Sequence, residues 1–278
     1  MKKSFEKARY RREDGREYKH DLGQHFLYDE ALLSRLVDST GLTEEDCVLE
    51  IGPGTGMLTQ FLARKAKRVI AVETDESLIP FLKLKMEEYP NLEVVHGDIR
   101  KQNLQELCAS LGENFFVIAN IPYSITTAIF DMLWQSGLPI RRISVMIQKE
   151  VADKLMAAPS TESYGLTSVR CQYYSVPELE EVVPAELFTP PPKVDSAFIH
   201  LHMRNEPPVP VKDEKLLMRM LKSSFSLRRK TLTNALKGVV EPDKLRSAME
   251  ACGLKPTARG EELNVEKWIQ LSNAVCDA

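Results

Sequence analysis

Residues 47–56 read C-V-L-E-I-G-P-G-T-G. A short apolar run, Cys47 to Ile51, passes into a turn with glycine at 52, 54 and 56, and a helical pattern from Met57 to Ala66 follows. Glycine lets a chain turn tightly and come close to a ligand with no Cβ in the way, and the N–H groups of the following helix face that ligand. Upstream, Glu30 to Leu42 is an amphipathic helix with apolar Leu32, Leu33, Leu36 and Val37. Downstream, Arg68 to Glu73 reads as a second strand, followed by a helix from about Glu76 to Glu88. Leu92 to His96, Phe115 to Ala119 and Arg142 to Gln148 are three further strands. Short apolar strands alternating with helical stretches predict βαβ units, hence a parallel sheet covered on both faces.

The pattern changes at N-E-P-P-V-P-V-K, residues 205–212, which is proline-rich and polar. Beyond it the chain reads as helix: about Asp213 to Ser226, Arg229 to Leu236, Pro242 to Cys252 and Val265 to Val275. Three segments are therefore expected, a basic arm over 1–20, an α/β domain over 21–205 and a helical domain over 206–278. No run of about 18 uncharged apolar residues exists, which excludes a membrane-spanning helix from the expectation. The five cysteines include no C-x-x-C pair, so they read as reduced thiols, and no metal site is expected. The charged N-terminus has no secretory apolar core, which points to a cytoplasmic protein. Nothing in the sequence calls for more than a monomer.

The net charge of −3 argues at first against a nucleic-acid partner. Its distribution reverses that inference. Residues 1–20 hold eight Lys/Arg against four acids, and Lys215 to Val240 hold seven Lys/Arg and no acid, so the remainder carries −14. The chain is an acidic body with two basic segments.

The glycine turn fails the dinucleotide fingerprint G-x-G-x-x-G, because position 57 is Met. What remains, Glu50-x-Gly52-x-Gly54-x-Gly56, resembles the nucleotide turn of S-adenosylmethionine-dependent methyltransferases, in which no pyrophosphate has to be held. Glu73 closes the second strand 19 residues after Gly54, where a carboxylate can accept from both hydroxyls of a ribose. Asp98 follows the third strand and can accept from the amino group of the cofactor's adenine. Ligand groups at the carboxyl ends of successive parallel strands share one crevice.

Asn120-Ile121-Pro122-Tyr123 follows the fourth strand at the same sheet edge. An aromatic exocyclic amine is a poor nucleophile because its lone pair is delocalised into the ring. If the Asn120 side-chain oxygen and the Pro122 carbonyl accept its two hydrogens, the nitrogen can pyramidalise and recover that lone pair. Tyr123 can stack on a flipped-out base, a contact worth ~1–3 kcal/mol. The motif contains no general base and needs none, since a methylated aminium is strongly acidic.

These motifs, with Gly23-Gln-His-Phe-Leu27, Phe188-Thr-Pro-Pro-Pro-Lys-Val-Asp-Ser196 and Phe225-Ser-Leu-Arg-Arg-Lys-Thr-Leu232, resemble the ribosomal RNA adenine N6,N6-dimethyltransferase family of the KsgA/RsmA type, from Leu22 to about Leu271. The resemblance implies an α/β fold: a Rossmann-like class I S-adenosylmethionine-dependent methyltransferase domain with a small all-helical C-terminal domain that binds RNA. It implies dimethylation of two adjacent adenines in the loop of a 3′-terminal hairpin of 16S rRNA, within the immature 30S subunit, and a role as a late assembly checkpoint. It implies cofactor contacts at His25, Leu27, Gly52, Gly54, Glu73, Asp98 and Asn120. The target adenine would meet Asn120, Pro122, Tyr123 and Phe188, with the competing reading that Phe188 is an apolar side chain buried beside a proline turn. Arg228, Arg229 and Lys230 would contact phosphates. His25 stands where the family usually has Asn. The rival functions are a large-subunit rRNA adenine methyltransferase of the antibiotic-resistance type and an assembly factor acting mainly by binding.

Overall fold

The computed structural model of this chain describes residues 25–278 apart from Met86. The basic arm over 1–20, and Gly23 and Gln24 of the G-Q-H-F-L motif, lie outside the described residues. Two compact units emerge, one holding 25–149 and 179–200 and the other 150–178 and 201–278.

The first unit opens with β1 (Phe26–Leu27) and α1 (Glu30–Ser39). Asp29 caps α1 by accepting from Leu32 N at 2.9 Å, and the buried face is the expected Leu32, Leu33, Leu36 and Val37. Then β2 (Cys47–Ile51), α2 (Met57–Lys65), β3 (Arg68–Glu73), α3 (Ile79–Lys85), β4 (Leu92–His96), α4 (Leu104–Cys108), β5 (Phe115–Asn120), α5 (Thr126–Gln135) and β6 (Ile140–Gln148) alternate. The pairings β4–β3, β3–β2, β2–β5 and β5–β6 are all parallel. Successive strand residues face opposite sides of a sheet. Val48 and Leu49, Val69 and Ile70, and Phe116 and Val117 are all at most 2% exposed, so both faces are covered. The five expected strands and their parallel sense are therefore present. The helix expected over 76–88 is a 3-10 turn at Glu76–Leu78 running into α3.

Four further strands have no counterpart in the sequence expectation: β1, β7 (Ser175–Val183), β8 (Phe188–Thr189) and β9 (Ser196–Met203). The sheet order is β4-β3-β2-β5-β6-β9-β7, and β8 pairs antiparallel with β1 in a separate two-stranded ribbon. The sequence P-E-L-E-E-V-V of β7 shows no apolar run from which a strand could be read. Edge strands carry charge against unwanted pairing, which erases the apolar run.

The second unit holds α6 (Lys149–Met156), α7 (Leu166–Tyr174), α8 (Glu214–Ser226), α9 (Leu232–Ala235), α10 (Pro242–Ala251) and α11 (Val265–Asp277). Its boundary corrects the single cut expected near residue 206, because Glu150–Glu178 belongs with the helices. Tyr164, Val169 and Tyr173 are buried in one core with Leu217, Met220, Leu221, Trp268 and Ile269. The fully buried Tyr164 hydroxyl donates to Leu263 O at 2.7 Å, and Trp268 Nε1 donates to Gly260 O at 3.2 Å. A proline-rich stretch marks a change of composition, whereas the compact unit follows where buried apolar side chains meet. Among the described residues no helix is long and apolar enough to cross a membrane.

Candidate active site

The carboxyl ends of β2, β3, β4 and β5 open onto one cavity of about 220 Å³. All the residues expected to hold the cofactor line it: His25, Leu27, Gly52, Gly54, Glu73, Asp98 and Asn120. Pro122 and Tyr123 line it too.

The glycine turn is tied down from two sides. Gly52 N donates to Val72 O at 2.9 Å, and Gly54 N donates to Glu73 Oε2 at 2.9 Å. Gly54 has φ +60°, and a Cβ there would stand 2.4 Å from a ring carbon of Phe26. Only glycine lets Phe26 rest on the turn. Glu73 Oε1 accepts from Asp75 N at 2.7 Å, so each carboxylate oxygen holds one backbone N–H and keeps further acceptor capacity. Burial pushes the Glu73 carboxyl above its usual range, against the pull of those N–H groups.

Glu50, the acid at the head of the glycine motif, is 1% exposed, and its Oε2 has no hydrogen-bond partner among the described residues. Burial pushes it up to about 8, with the Glu73 carboxylate adding to the rise and the Thr59 hydroxyl opposing it. Its role is not legible in the sequence, because nothing there shows that its side chain is buried beside a second acid. Asp98 accepts three hydrogen bonds from Arg100, a cavity residue with no sequence signal.

At the end of β5, Asn120 Nδ2 donates to His25 O at 3.0 Å, which leaves Oδ1 as the acceptor available to a ligand. The Pro122 carbonyl already accepts from Ile125 N at 3.1 Å and from the Thr126 hydroxyl at 3.4 Å, so it is the less free of the two expected acceptors. The Tyr123 hydroxyl shares a 2.6 Å hydrogen bond with Ser196 Oγ. One face of its ring stacks on His25, with centroids 5.4 Å apart and planes inclined at 29°. His25 Nδ1 lies 2.7 Å from Pro190 O and so carries the proton on that side.

Phe188 departs from the expectation that it stacks on the target base. It is 2% exposed, packed in the core with Leu32, Leu36, Val183 and Phe198, and is not part of the cavity wall. Its backbone pairs with Leu27, which directs the ring into that core. The competing apolar reading describes its surroundings.

In the helical unit Arg228 also departs from expectation. Its Nε donates to Glu261 Oε2 at 2.5 Å, Nη1 to Glu162 O at 2.7 Å and Nη2 to Thr161 O at 2.8 Å. That guanidinium is committed to holding three segments together. Arg229 and Lys230 are exposed. So are Lys215, Arg219 and Lys222, at i, i+4 and i+7 on α8, away from its buried Leu216, Leu217, Met220 and Leu221. Among the described residues no cluster of His, Cys, Asp and Glu could hold a metal ion.

Comparison with known proteins gives a consistent picture. The family model "Ribosomal RNA adenine dimethylase" matches residues 15–277. The chain is 41% identical to a ribosomal RNA small subunit methyltransferase A of Geobacillus thermodenitrificans, covering 96% of this chain and 93% of that one. It is 42% identical to the corresponding protein of Clostridium acetobutylicum, over 91% and 92%. Among solved structures, a dimethyladenosine transferase from Plasmodium falciparum superposes with a TM-score of 0.72 at 26% identity, covering 89% of this chain and 96% of that one. The 23S rRNA methyltransferase ErmE superposes at 0.69 with 29% identity, over 90% and 99%.

Proposed function

Because the chain belongs to the ribosomal RNA adenine dimethylase family, and is thus an S-adenosylmethionine-dependent rRNA adenine dimethyltransferase, we propose that it dimethylates the N6 amines of two adjacent adenines. We place those adenines in the loop of the 3′-terminal hairpin of 16S rRNA, in the immature 30S subunit. The observation that carries the reading is that Asn120, Pro122 and Tyr123 wall the same cavity as Glu73 and Asp98. An amine held by the first group would lie beside a nucleoside cofactor held by the second.

The residues present fit that cofactor. Gly54 lets Phe26 close against the turn as one wall of the cavity, and Glu73 offers acceptors for ribose hydroxyls. When bound, S-adenosylmethionine supplies an electrophilic methyl on a sulfonium. The chain's own residues then do the rest. Asn120 Oδ1, fixed by the Nδ2 bond to His25 O, accepts from the amine and restores its lone pair. Tyr123, anchored by Ser196 and covered on one face by His25, offers the other face to the base. Positioning accounts for most of the rate, up to ~7–11 kcal/mol where two reactants are held in line.

Arg229, Lys230 and the α8 row of Lys215, Arg219 and Lys222 form the RNA-phosphate surface. Small-subunit RNA is favoured over the large-subunit alternative because the curated relatives at 41–42% identity are small-subunit enzymes, against 29% for ErmE. The protein acts in the cytoplasm as a monomer. It also serves as an assembly checkpoint, binding before it methylates. The test is mass spectrometry of 16S rRNA from a strain lacking the gene, before and after treating its 30S particles with protein and S-adenosylmethionine. Four new methyl groups on two neighbouring adenines are expected. Methyl groups confined to 23S rRNA in a parallel reaction would overturn the assignment.

A further inference from the structure

We propose that Arg100 is a positioning residue for cofactor recognition: its guanidinium locks the Asp98 carboxylate so that a single acceptor site remains, aimed at the exocyclic amine of the cofactor's adenine. This rests on the reading above that Asp98 meets that adenine. Arg100 lies two residues after Asp98, on the 3-10 turn Ile99–Lys101 that Asp98 itself caps, and both residues wall the cavity.

The lone pairs can be counted. An ionised carboxylate has about four acceptor sites, two on each oxygen. Asp98 Oδ1 accepts from Arg100 N at 3.0 Å and from Arg100 Nε at 2.9 Å, which fills it. Oδ2 accepts from Arg100 Nη2 at 2.6 Å and keeps one site. Parallel Nε and Nη2 contacts form a two-point fork that fixes the plane of the carboxylate, which a single-point contact cannot do. The pair holds the Asp98 carboxyl below its ordinary range, so it stays an acceptor and cannot donate.

A fixed plane with one open acceptor selects a ligand that presents an N–H there. Adenine has an amine at that position, whereas hypoxanthine has a carbonyl oxygen that would face the carboxylate with no proton between them. Arg100 thereby acts on base identity through Asp98, without itself bonding to the base. A lysine at 100 would preserve the positive charge and lose the fork.

The experiment is equilibrium titration of the full chain with S-adenosylhomocysteine and with its inosine counterpart, for the unaltered protein, Arg100→Lys and Arg100→Leu. The unaltered protein should bind the adenine ligand at least about tenfold more tightly, the loss expected when a charged acceptor goes unpaired. Both variants should narrow that ratio to within about twofold by weakening the adenine ligand alone, and in turnover the loss should fall on KM for the cofactor rather than on kcat. A merely structural role would weaken both ligands equally and leave the ratio intact. That outcome overturns the proposal for Arg100 while sparing Asp98. No discrimination by the unaltered protein would overturn the reading of Asp98, and with it the proposal. The thermal midpoint of each variant reports folding independently, and Arg100, whose side chain is 44% exposed, can be replaced without opening the core.

Discussion

The cavity of the first unit and the basic segment of the second use withdrawn charge in opposite ways. Glu50 and Glu73 are neighbouring acids whose ionisation burial opposes, and among the described residues neither has a basic side chain for a partner. Arg228, half-buried in the helical unit, has a carboxylate and two carbonyls at 2.5 to 2.8 Å. Leaving a charge buried without a counter-charge costs stability, whereas a satisfied buried charge is costly only to break. The first arrangement stores a cost that a cationic, hydroxyl-bearing ligand can relieve. The second is structural cement. Residue type alone does not separate the two, and the partner set does.

The sharpest way to break this contrast is Glu73→Gln. The amide oxygen can still take one backbone N–H, but the charge that would hold both ribose hydroxyls is gone. Affinity for S-adenosylhomocysteine should fall about 30- to 100-fold, roughly 2–3 kcal/mol, the value of hydrogen bonds to a charged group. Without ligand the thermal midpoint should change little, because the cheaper burial of a neutral amide offsets the one backbone N–H that its nitrogen leaves unpaired. A fall in stability with affinity intact would refute the idea that Glu73 is kept for a ligand. The mirror experiment is Arg228→Met, which should destabilise the protein by about 1–3 kcal/mol by stranding Glu261 and two carbonyls. Calorimetry should register that loss while the salt dependence of RNA binding stays close to that of the unaltered protein.

Glu50 sharpens the contrast through pH. Burial lifts its carboxyl to about 8 against an unfolded value near 4.5. Between those values the native state holds a proton that the unfolded state has released. The contribution is complete below about pH 4.5 and is lost as pH rises toward 8, with a slope of up to ~1.4 kcal/mol per pH unit. Melting of the ligand-free protein from pH 5 to 8 should show that decline, and Glu50→Gln should flatten it. Equal slopes in the two proteins would sink the assignment.

Such contrasts mark where sequence reading stops. The parallel strands were legible because Val69–Val72 and Phe116–Ala119 are unbroken apolar runs, as two-sided burial demands, and Val48–Ile51 is interrupted only by the buried Glu50. Glycine spacing and N-I-P-Y located the site because each motif follows a strand directly. Phe188 and Arg228 were placed by motif membership. Whether a ring faces a cavity or a core, and whether a guanidinium is free, depends on residues far away in the chain: Leu36 and Phe198 for one, Thr161 and Glu261 for the other. The helical unit's claim on Tyr164 and Val169 was hidden for the same reason, since burial among distant helices leaves no local signature.

The smallest effect is expected where charge is least encumbered. Arg229 and Lys230 are exposed, and among the described residues no salt bridge holds either. Each phosphate contact releases condensed counterions, so log affinity falls with log salt in proportion to the number of contacts, about 0.7–0.9 per charge. Arg229→Gln and Lys230→Gln should each reduce that slope by roughly this amount, at unchanged melting temperature. At moderate salt the affinity change per residue is modest, so the slope over a salt titration is the quantity to measure. If the slope were unaltered in the double variant yet reduced in Arg228→Met, the assignment of roles within Arg228-Arg229-Lys230 would have to be exchanged, because a guanidinium held by Glu261, Glu162 and Thr161 would then be reaching RNA as well.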